Sequence, residues 1–579
     1  MIQIYKKMMV LLDKKQKRTM VGIVFMMLIG AILEALGISA VIPVVQVVMD
    51  ENALEKYEYV RIIYEFLGMK SQTQFTMVTL AFLALVFIVK NVYLYIQQKV
   101  LCRFVYTNQF RTSERMMKNY LHKDYEFYLN ADTAVVQRTI TSDVNNMYAL
   151  ILNVLQLVSE AIVFVVIAVV LILSDWKMTL AISVMLGLTM LLITKAIKPV
   201  MRKAGKDNQK YYSRLFKLIS QTVMGIKEVK VSTTEQHFVD EYIQCGKGYV
   251  EAVQKYTLLN SIPKLLIETV CISGTVIYMI VLIALGTPIT EMLPILTVFA
   301  AAVVRLMPCA TRMNTYLNNI VYFEPFLMGV SDNLQDEINH PDLQIAFAKE
   351  DQKKMPIHKA ITLKDITYAY PNTDKLIFEH ADMEVPIGKA VGIVGTTGAG
   401  KSTIVDILLG LLKMQSGTVY ADDTDIYSDY YGWLKNVGYI PQMIFMLDDT
   451  IRRNVAFGVA DEDISEERVW EVLKEAQLDE FIKTLPEGLD TTIGERGIRL
   501  SGGQRQRIGI ARSLYNDPDV LIMDEATSAL DNDTEAAIID SINRLHGKKT
   551  LVIIAHRLQT IENCDMIYRV ENGKIKRER

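Results

Sequence analysis

The sequence predicts a multidomain chain: an all-α transmembrane domain with six helices, followed by an α/β P-loop nucleotide-binding domain. Hydrophobic residues make up 51% of the 579 residues, and the mean hydropathy is +0.21. This is more apolar than a soluble protein of this size normally is. From about residue 357, short apolar strands alternate with helical segments, which is typical of an α/β domain. We therefore predict a membrane domain over 1–330, a linker over 331–356 and a nucleotide-binding domain over 357–579.

Six apolar stretches are long enough to cross the roughly 30 Å hydrocarbon core of a bilayer. They lie near 19–49, 75–101, 148–173, 177–200, 259–285 and 289–313. The long connections between these stretches are rich in Lys and Arg, and so is the N-terminus. The positive-inside rule therefore predicts that these connections, both termini and the nucleotide-binding domain are cytoplasmic. We interpret the first stretch as a retained helix, because it is too long for a signal-peptide core and no cleavage site follows it.

Charge and cysteine content exclude several classes of function. The net charge is −3, and no arginine-rich face indicates a nucleic acid partner. The five cysteines are scattered without metal-ligand spacing, so we expect reduced, apolar fillers.

The segment GTTGAGKST follows an apolar strand and opens an apolar helix, which is the context that a phosphate-binding loop requires. Its backbone N–H groups are expected to surround phosphate oxygens. Lys401 is predicted to bridge the β- and γ-phosphates of ATP, and the Ser402 hydroxyl to ligate Mg²⁺. The predicted nucleotide-binding residues of this loop are Gly395, Thr396, Thr397, Gly398, Ala399, Gly400, Lys401, Ser402 and Thr403.

The segment VLIMDEA supplies two acidic residues at the end of a predicted buried strand. Asp524 is predicted to face Mg²⁺. Glu525 is predicted to polarise the water that attacks the γ-phosphate, which is the work of a general base.

The segment LSGGQRQRIGIARSL, residues 500–514, resembles the signature sequence of ATP-binding-cassette ATPases. This resemblance implies ATP and Mg²⁺ as cofactors and assigns further roles. Tyr370 is similar to the aromatic residue that stacks on adenine, and Gln442 to the residue that contacts Mg²⁺ and the attacking water. His556 is similar to the γ-phosphate sensor, and Asp531 lies in the stretch SALD where two ATPase halves meet.

The resemblance also implies a dimer, because in this family the signature of one subunit closes over ATP held by the other. Ser501, Gly502, Gly503 and Gln504 would then contact nucleotide bound to a second copy. The chain carries one phosphate loop and one signature, so one chain does not complete a site. A homodimer is favoured since neither half-site is degenerate, and a heterodimer with a related subunit remains open.

The order of domains and the long cytoplasmic helices resemble exporter-type (type IV) half-transporters. EALGISAVIP, PKLLIET and AAAVVRLMP resemble segments of bacterial lipid-linked oligosaccharide flippases of the PglK type. That implies a polyprenyl-diphosphate glycan as the substrate and membrane lipids as surroundings. Arg305, Lys90 and Lys264 are the candidate cations for the diphosphate. The other interpretation is that these long side chains reach the inner headgroups and line no cavity.

The loop 50–70 predicts a short amphipathic helix at the outer surface, with Tyr57, Val60, Ile63, Tyr64 and Leu67 on one face. The resemblance implies that it engages the polyprenyl tail, whereas an ordinary interfacial anchor explains the same pattern. Two other functions stay open: an exporter of drugs, other lipids or peptides, and an ATP-gated channel or regulator. A third, a soluble-type mechanochemical ATPase, is excluded for practical purposes by the six predicted spans.

Overall fold

The structure is a computed structural model that describes residues 2–49, 61–62, 64–65, 71–174, 176–284, 289–335, 352–525, 532–555 and 561–579. The chain folds into two compact units. The first unit, called here the membrane unit, comprises 1–123 and 131–345. The second, called here the nucleotide unit, comprises 124–130 and 346–579.

The membrane unit is helical throughout its described part. Its helices, together with α4 of the nucleotide unit, are α1 (Ile2–Leu11), α2 (Lys14–Met49), α3 (Gln72–Leu121), α4 (Tyr125–Asn130), α5 (Thr133–Arg138), α6 (Val144–Ser174), α7 (Trp176–Met224), α8 (Ile226–Val231), α9 (Glu235–Ala284) and α10 (Ile289–Asn333). A π-helical turn, Thr139–Asp143, joins α5 to α6.

Each predicted span falls on one long helix of this unit: α2, α3, α6, α7, α9 or α10. Within the described residues, four stretches are long and apolar enough to cross a membrane. They are Lys14–Glu34, Thr73–Leu121, Thr133–Val169 and Ser183–Met224. The fifth and sixth predicted spans lie on α9 and α10, where many side chains fall outside the described part of the chain.

Helices α3, α7 and α9 are each 49 or 50 residues long. A helix needs only about 20 residues to cross a bilayer, so each one continues well beyond the hydrocarbon core. The polar extensions carry the Lys- and Arg-rich segments and correspond to the long connections of the sequence. Their cytoplasmic side stays a prediction.

The nucleotide unit contains two sheets. Its strands are β1 (Ala360–Ala369), β2 (Leu376–Pro386), β3 (Ala390–Gly395), β4 (Ser416–Ala421), β5 (Thr424–Asp425), β6 (Val437–Ile440), β7 (Val520–Asp524), β8 (Thr550–Ile554), β9 (Met566–Glu571) and β10 (Lys574–Arg577). The first sheet is antiparallel in the order β2-β1-β4-β5, and the second has the order β10-β9-β3-β8-β7-β6. In the second sheet β10 pairs antiparallel with β9, and the other neighbours are parallel.

The α-helices of this unit after α4 are α11 (Lys401–Leu408), α12 (Tyr430–Leu434), α13 (Ile451–Val455), α14 (Glu466–Glu475), α15 (Asp479–Lys483), α16 (Gly502–Tyr515) and α17 (Asn532–Leu545). Every residue of β7 and β8 is buried, as expected for central parallel strands that are covered on both faces. Two apolar cores, one on each side of these strands, hold the parallel sheet in place.

The five cysteines are all free thiols, and Cys245, Cys271, Cys309 and Cys564 are buried. This agrees with their expected role as apolar fillers.

Candidate functional site

The predicted catalytic segments lie together at the carboxyl edge of the parallel sheet. The phosphate loop leaves β3 after Gly395, Asp524 ends β7, and Gln442 follows β6 by two residues. Strand β8 lies between β3 and β7, with Ile554 opposite both Ile393 and Asp524. Residues distant in sequence therefore meet at one edge, where ligands of open α/β sheets bind.

The phosphate loop has the backbone that its glycines predict. Gly398 and Gly400 have φ of 81° and 102°, a region that side chains other than glycine rarely adopt. A Cβ on Gly400 would lie 2.8 Å from Ile377 Cγ2 and 2.9 Å from Phe378 Cζ. The loop therefore requires glycine at position 400 for space as well as for conformation.

Lys401 begins α11 and is buried, with its ammonium turned back over the loop. Its Nζ donates to the carbonyl oxygens of Gly395 at 3.1 Å and Thr396 at 3.2 Å. An ammonium group held inside a loop of backbone N–H groups is the arrangement that binds phosphate oxygens. The residues present thus fit the phosphates of a nucleotide.

Ser402 and Asp524 form an oxygen pair at the mouth of this loop. The Ser402 Oγ lies 3.4 Å from Asp524 Oδ1, and Asp524 is buried. Hydroxyl and carboxylate oxygens are the ligands that Mg²⁺ takes from proteins beside phosphates. The pair fits the predicted magnesium ligands.

Glu525 lies directly after β7 in a left-handed conformation, with φ of 50°. Its N–H donates to the Ile554 carbonyl at 3.1 Å, and its Oε2 accepts from Gln442 Nε2 at 2.8 Å. A non-glycine residue held at positive φ is strained, and such strain is found at functional sites. The carboxylate of Glu525 is thereby held next to Gln442, the residue that resemblance placed beside the attacking water.

Tyr370 lies next to the helix that carries the loop. Its hydroxyl forms a hydrogen bond of 2.9 Å with Thr403 Oγ1, and its ring contacts Tyr368 edge-on at 5.3 Å between centroids. Its role against adenine stays a prediction.

Asp406 is a residue of α11 that sequence reasoning missed, because the helix was interpreted as apolar. Burial, and then the charge of Asp524, raise the pKa of Asp406 to about 6. The only sequence signal is one carboxylate within TIVDILLGLL.

The signature residues open α16. Ser501 and Gln504 form a capping box: Ser501 Oγ accepts from Gln504 N at 3.2 Å, and Ser501 N donates to Gln504 Oε1 at 2.8 Å. Ser501 and Gly502 are exposed, whereas Gly503 is buried. The segment is thus a rigid, exposed helix start, and its contact with a second copy stays a prediction.

Helix α4 packs as part of the nucleotide unit, although the flanking chain belongs to the membrane unit. Lys413 donates through its backbone N–H to Glu126 Oε1 at 3.2 Å and through Nζ to Asp124 Oδ2 at 2.9 Å. Burial, then the nearby Asp406 and Tyr370, raise the pKa of Tyr125. Helix α4, which lies within the first long connection of the sequence, is therefore placed beside residues that flank the phosphate loop.

The candidate substrate cations of the membrane unit occupy different surroundings. The Lys90 ammonium lies 4.6 Å from the centroid of the Phe87 ring. Its aliphatic stem lies against Gly37, since a Cβ added to that glycine would be 3.3 Å from Lys90 Cδ. Lys264 is exposed. Arg305 lies on α10, and its side chain is outside the described part of the structure.

Sequence reasoning missed an ion pair between α6 and α10. Arg312 Nε donates to Glu160 Oε1 at 2.7 Å, with Glu160 only 17% exposed. Two turns away along both helices, Asn319 Nδ2 donates to Asn153 Oδ1 at 2.8 Å. The sequence signal was a seven-residue spacing of polar residues on each of two apolar helices.

A second missed cluster surrounds the π-helical turn. Asp143 is fully buried and accepts from Arg138 Nε at 3.2 Å and Gln209 Nε2 at 3.0 Å. Arg138 also donates to the Ser213 hydroxyl on α7. A Cβ on Gly329 of α10 would be 3.3 Å from both Asp143 Oδ2 and Gln209 Nε2, so this glycine lets α10 approach the cluster.

Several predictions lie outside the described residues. These are His556, Asp531 with the stretch 528–531, most of the linker 331–356, and Tyr57, Val60, Ile63 and Leu67 of the external helix. Of that helix, Tyr64 is described, and its ring contacts Phe75 edge-on at 5.3 Å.

Models of known protein families match residues in both units. The family model for the ABC transporter transmembrane region matches residues 58–283, and the ABC transporter model matches residues 378–528. A solved structure of a bacterial Atm1-family ABC exporter with ATP bound has a TM-score of 0.76 and 22% identity, over 96% of this chain and 95% of that one. This likeness confirms the predicted fold class.

Curated relatives include ATP-dependent lipid A-core flippases. That of Saccharophagus degradans is 32% identical over 69% of this chain and 66% of its own length. That of Cupriavidus pinatubonensis is 27% identical over 80% of this chain and 77% of its own length. The chain thus spans about two thirds of the first relative and more of the second.

Proposed function

We propose that this chain, which belongs to the ABC transporters, is a homodimeric ATP-driven flippase. Its substrate would be a polyprenyl-diphosphate-linked oligosaccharide, moved from the cytoplasmic to the outer leaflet of a bacterial inner membrane. The nucleotide unit is the ATP-hydrolysing domain of the family. The observation that carries the proposal is the Gln442–Glu525 pair beside an intact phosphate loop.

The chemistry of ATP hydrolysis follows from that pair. Glu525 accepts the proton of the attacking water, and the Gln442 amide fixes the orientation of the carboxylate through its 2.8 Å hydrogen bond. Lys401 neutralises charge on the phosphates. Ser402 and Asp524 would hold Mg²⁺, which neutralises the charge that develops on the transferred phosphoryl group. His556 completes the set by resemblance.

Two copies are needed because the signature faces outward. Ser501 and Gly502, at the start of α16, are exposed. In a symmetric dimer each signature would cover ATP bound to the other copy, which gives two equivalent sites. Closure of these sites would act on the membrane unit through the cytoplasmic connections, of which α4 already belongs to the nucleotide unit.

The lipid part of the proposal is supported by the relatives, which are flippases of lipid A-core, and by the segments that resemble oligosaccharide flippases. A diphosphate headgroup requires cations, and an arginine fork binds phosphate oxygens in pairs. Arg305 is therefore the first candidate, followed by Lys90 and Lys264. Transport of a lipid A-core type glycolipid is the second candidate function, since the curated relatives favour it.

The test is leaflet exchange in liposomes that contain the purified chain and a fluorescent polyprenyl-diphosphate oligosaccharide. Exchange is expected to require ATP, to be abolished in Glu525→Gln, and to fall about tenfold in Arg305→Ala. Arg577→Ala, which removes an exposed arginine of the nucleotide unit, is the matched control and is expected to behave as wild type.

The outcomes separate the alternatives. Exchange without ATP, or flux that survives Glu525→Gln, would indicate a channel and reject the mechanism. ATP-dependent exchange of a lipid A-core analogue, but not of the polyprenyl substrate, would select the second candidate. Wild-type transport in Arg305→Ala, with ATPase stimulated by amphipathic drugs, would indicate an exporter of another class.

A further inference from the structure

The N-terminal helix α1 presents two adjoining apolar faces. Ile4, Met8 and Leu11 are buried in the core of the membrane unit. Ile2 and Tyr5, one turn apart on the adjoining face, are 77% and 55% exposed. A helix that is apolar on two adjoining faces, one against the protein and one open, is suited to lie in the plane of a membrane surface.

Helix α1, the turn after it and the first residues of α2 are together called here the elbow (residues 2–18). Hydrogen bonds hold it to itself and to the rest of the membrane unit. Asp13 and Gln16 cap α2 reciprocally, at 2.7 and 2.8 Å. Arg115 donates to the Leu11 carbonyl at 3.2 Å, and Lys7 donates to Asp332 at 2.7 Å. The elbow is therefore preorganised rather than an extended tail.

An apolar groove of about 260 Å³ opens beside α1. Its lining is Ile2, Ile4, Tyr5, Met8 and Val154. Val154 lies six residues into the span predicted to start at 148, a depth of about 9 Å at 1.5 Å per residue. This depth is within the roughly 5–10 Å that the apolar face of an interfacial helix reaches into the region between headgroups and acyl chains.

The elbow is also strongly basic on its exposed side. Lys6, Lys14, Lys15 and Arg18 are exposed. The first turn of α2 holds no acidic residue, although cations are unfavourable at that end of a helix. Stability of α2 therefore does not account for these cations. The positive-inside rule predicts them on the cytoplasmic side, where their charge is complementary to the anionic lipid headgroups of that leaflet.

We propose that the elbow is a binding site for an anionic phospholipid of the cytoplasmic leaflet. One acyl chain occupies the groove between α1 and Val154. The phosphate is bound by the exposed cations of the elbow. The site is independent of the transported substrate, and it orients α1 and the start of α2 at the inner headgroups.

The test is native mass spectrometry of the full chain in detergent, with phosphatidylglycerol or phosphatidylcholine added. Wild type is expected to bind phosphatidylglycerol more tightly. A basic-face variant (Lys6→Gln, Lys14→Gln, Lys15→Gln, Arg18→Gln) is expected to lose at least tenfold in affinity for phosphatidylglycerol, since each cation near a membrane surface contributes roughly a factor of five. A groove variant, Ile2→Ser with Tyr5→Ser, is expected to bind both lipids more weakly.

The matched control removes four exposed lysines from the nucleotide unit (Lys364→Gln, Lys548→Gln, Lys574→Gln, Lys576→Gln) and is expected to keep wild-type affinity. Retained phosphatidylglycerol binding in the basic-face variant, or equal binding of both lipids by wild type, would overturn the proposal. So would tighter binding of a soluble polyglutamate peptide than of phosphatidylglycerol. If the basic-face variant does not fold, a salt titration of wild type decides: binding of phosphatidylglycerol alone must weaken as salt rises.

Discussion

The nucleotide site and the polar clusters of the membrane unit are built in opposite ways. In the nucleotide unit, one run of nine residues supplies the whole phosphate loop, and the remaining groups arrive at the ends of neighbouring strands. In the membrane unit, each polar cluster joins residues that are far apart in sequence. Arg312 and Glu160 are 152 residues apart, and Gln209 and Asp143 are 66 apart.

The difference follows from what each region does with its charges. Phosphate binding needs backbone N–H groups and one ammonium at a single point, which a loop before a helix provides locally. A charge buried within a helical bundle needs a partner, because burial without one is costly. For Glu160 and for the Gln209 contact of Asp143, that partner lies on another helix. The first arrangement produces a motif, whereas the second produces only scattered polar residues.

The largest expected effect tests the local site. Glu525→Gln should lower the ATPase rate about 10²- to 10⁴-fold, because the variant lacks the proposed general base while it keeps the shape of the side chain. The measurement is phosphate release by the full chain in lipid nanodiscs. Glu379→Gln makes the same change at an exposed position of β2 and should leave the rate unchanged. A fall of less than tenfold in Glu525→Gln would contradict the assigned role.

The next effect tests a dispersed cluster. Asp143→Asn leaves the Arg138 guanidinium, only 14% exposed, without its carboxylate. We expect a loss of about 2–4 kcal/mol in the free energy of unfolding, as for other buried pairs that lose one partner. The measurement is unfolding of the full chain in mixed detergent micelles. Glu251→Gln, in an exposed pair with Lys255, is the control and should have no effect. Equal stability of both variants would show that the buried cluster contributes nothing.

The smallest expected effect tests a contact of the nucleotide unit that no sequence motif indicates, the one made by Asp565. Asp565 accepts from Ala390 N at 2.9 Å and His546 Nε2 at 2.8 Å, and these bonds, Ala390 first, lower the pKa of Asp565 to about 2. The unfolded state binds the proton first, so this stabilisation is present above about pH 4 and is lost as the pH falls toward 2.

Asp565→Asn should therefore destabilise the chain by about 1–2 kcal/mol near neutral pH, and the difference from wild type should shrink between pH 4 and pH 2. The measurement is the unfolding transition as a function of pH. Asp423→Asn, at a side chain 95% exposed, serves as the control. A difference that grows on acidification would have the wrong sign and reject this assignment.

Sites built from consecutive residues could be predicted from the sequence, whereas sites built from distant residues could not. The phosphate loop, Asp524, Glu525 and Gln442 were placed from short segments, and the structure brings them to one sheet edge. Asp406 was overlooked because a single carboxylate does not interrupt an apolar helix pattern. The Arg312–Glu160 pair was missed because periodicity shows which face of a helix is polar but not which helix faces it.

By itself, the sequence determined the two kinds of domain, the six apolar stretches and the chemistry of the phosphate loop, because these depend on composition, periodicity and consecutive residues. Only the tertiary structure decided that Arg312 is paired with Glu160 and that Asp143 is buried beside Gly329. Those features depend on distances between helices, and such distances result from packing of the whole unit rather than from any one segment.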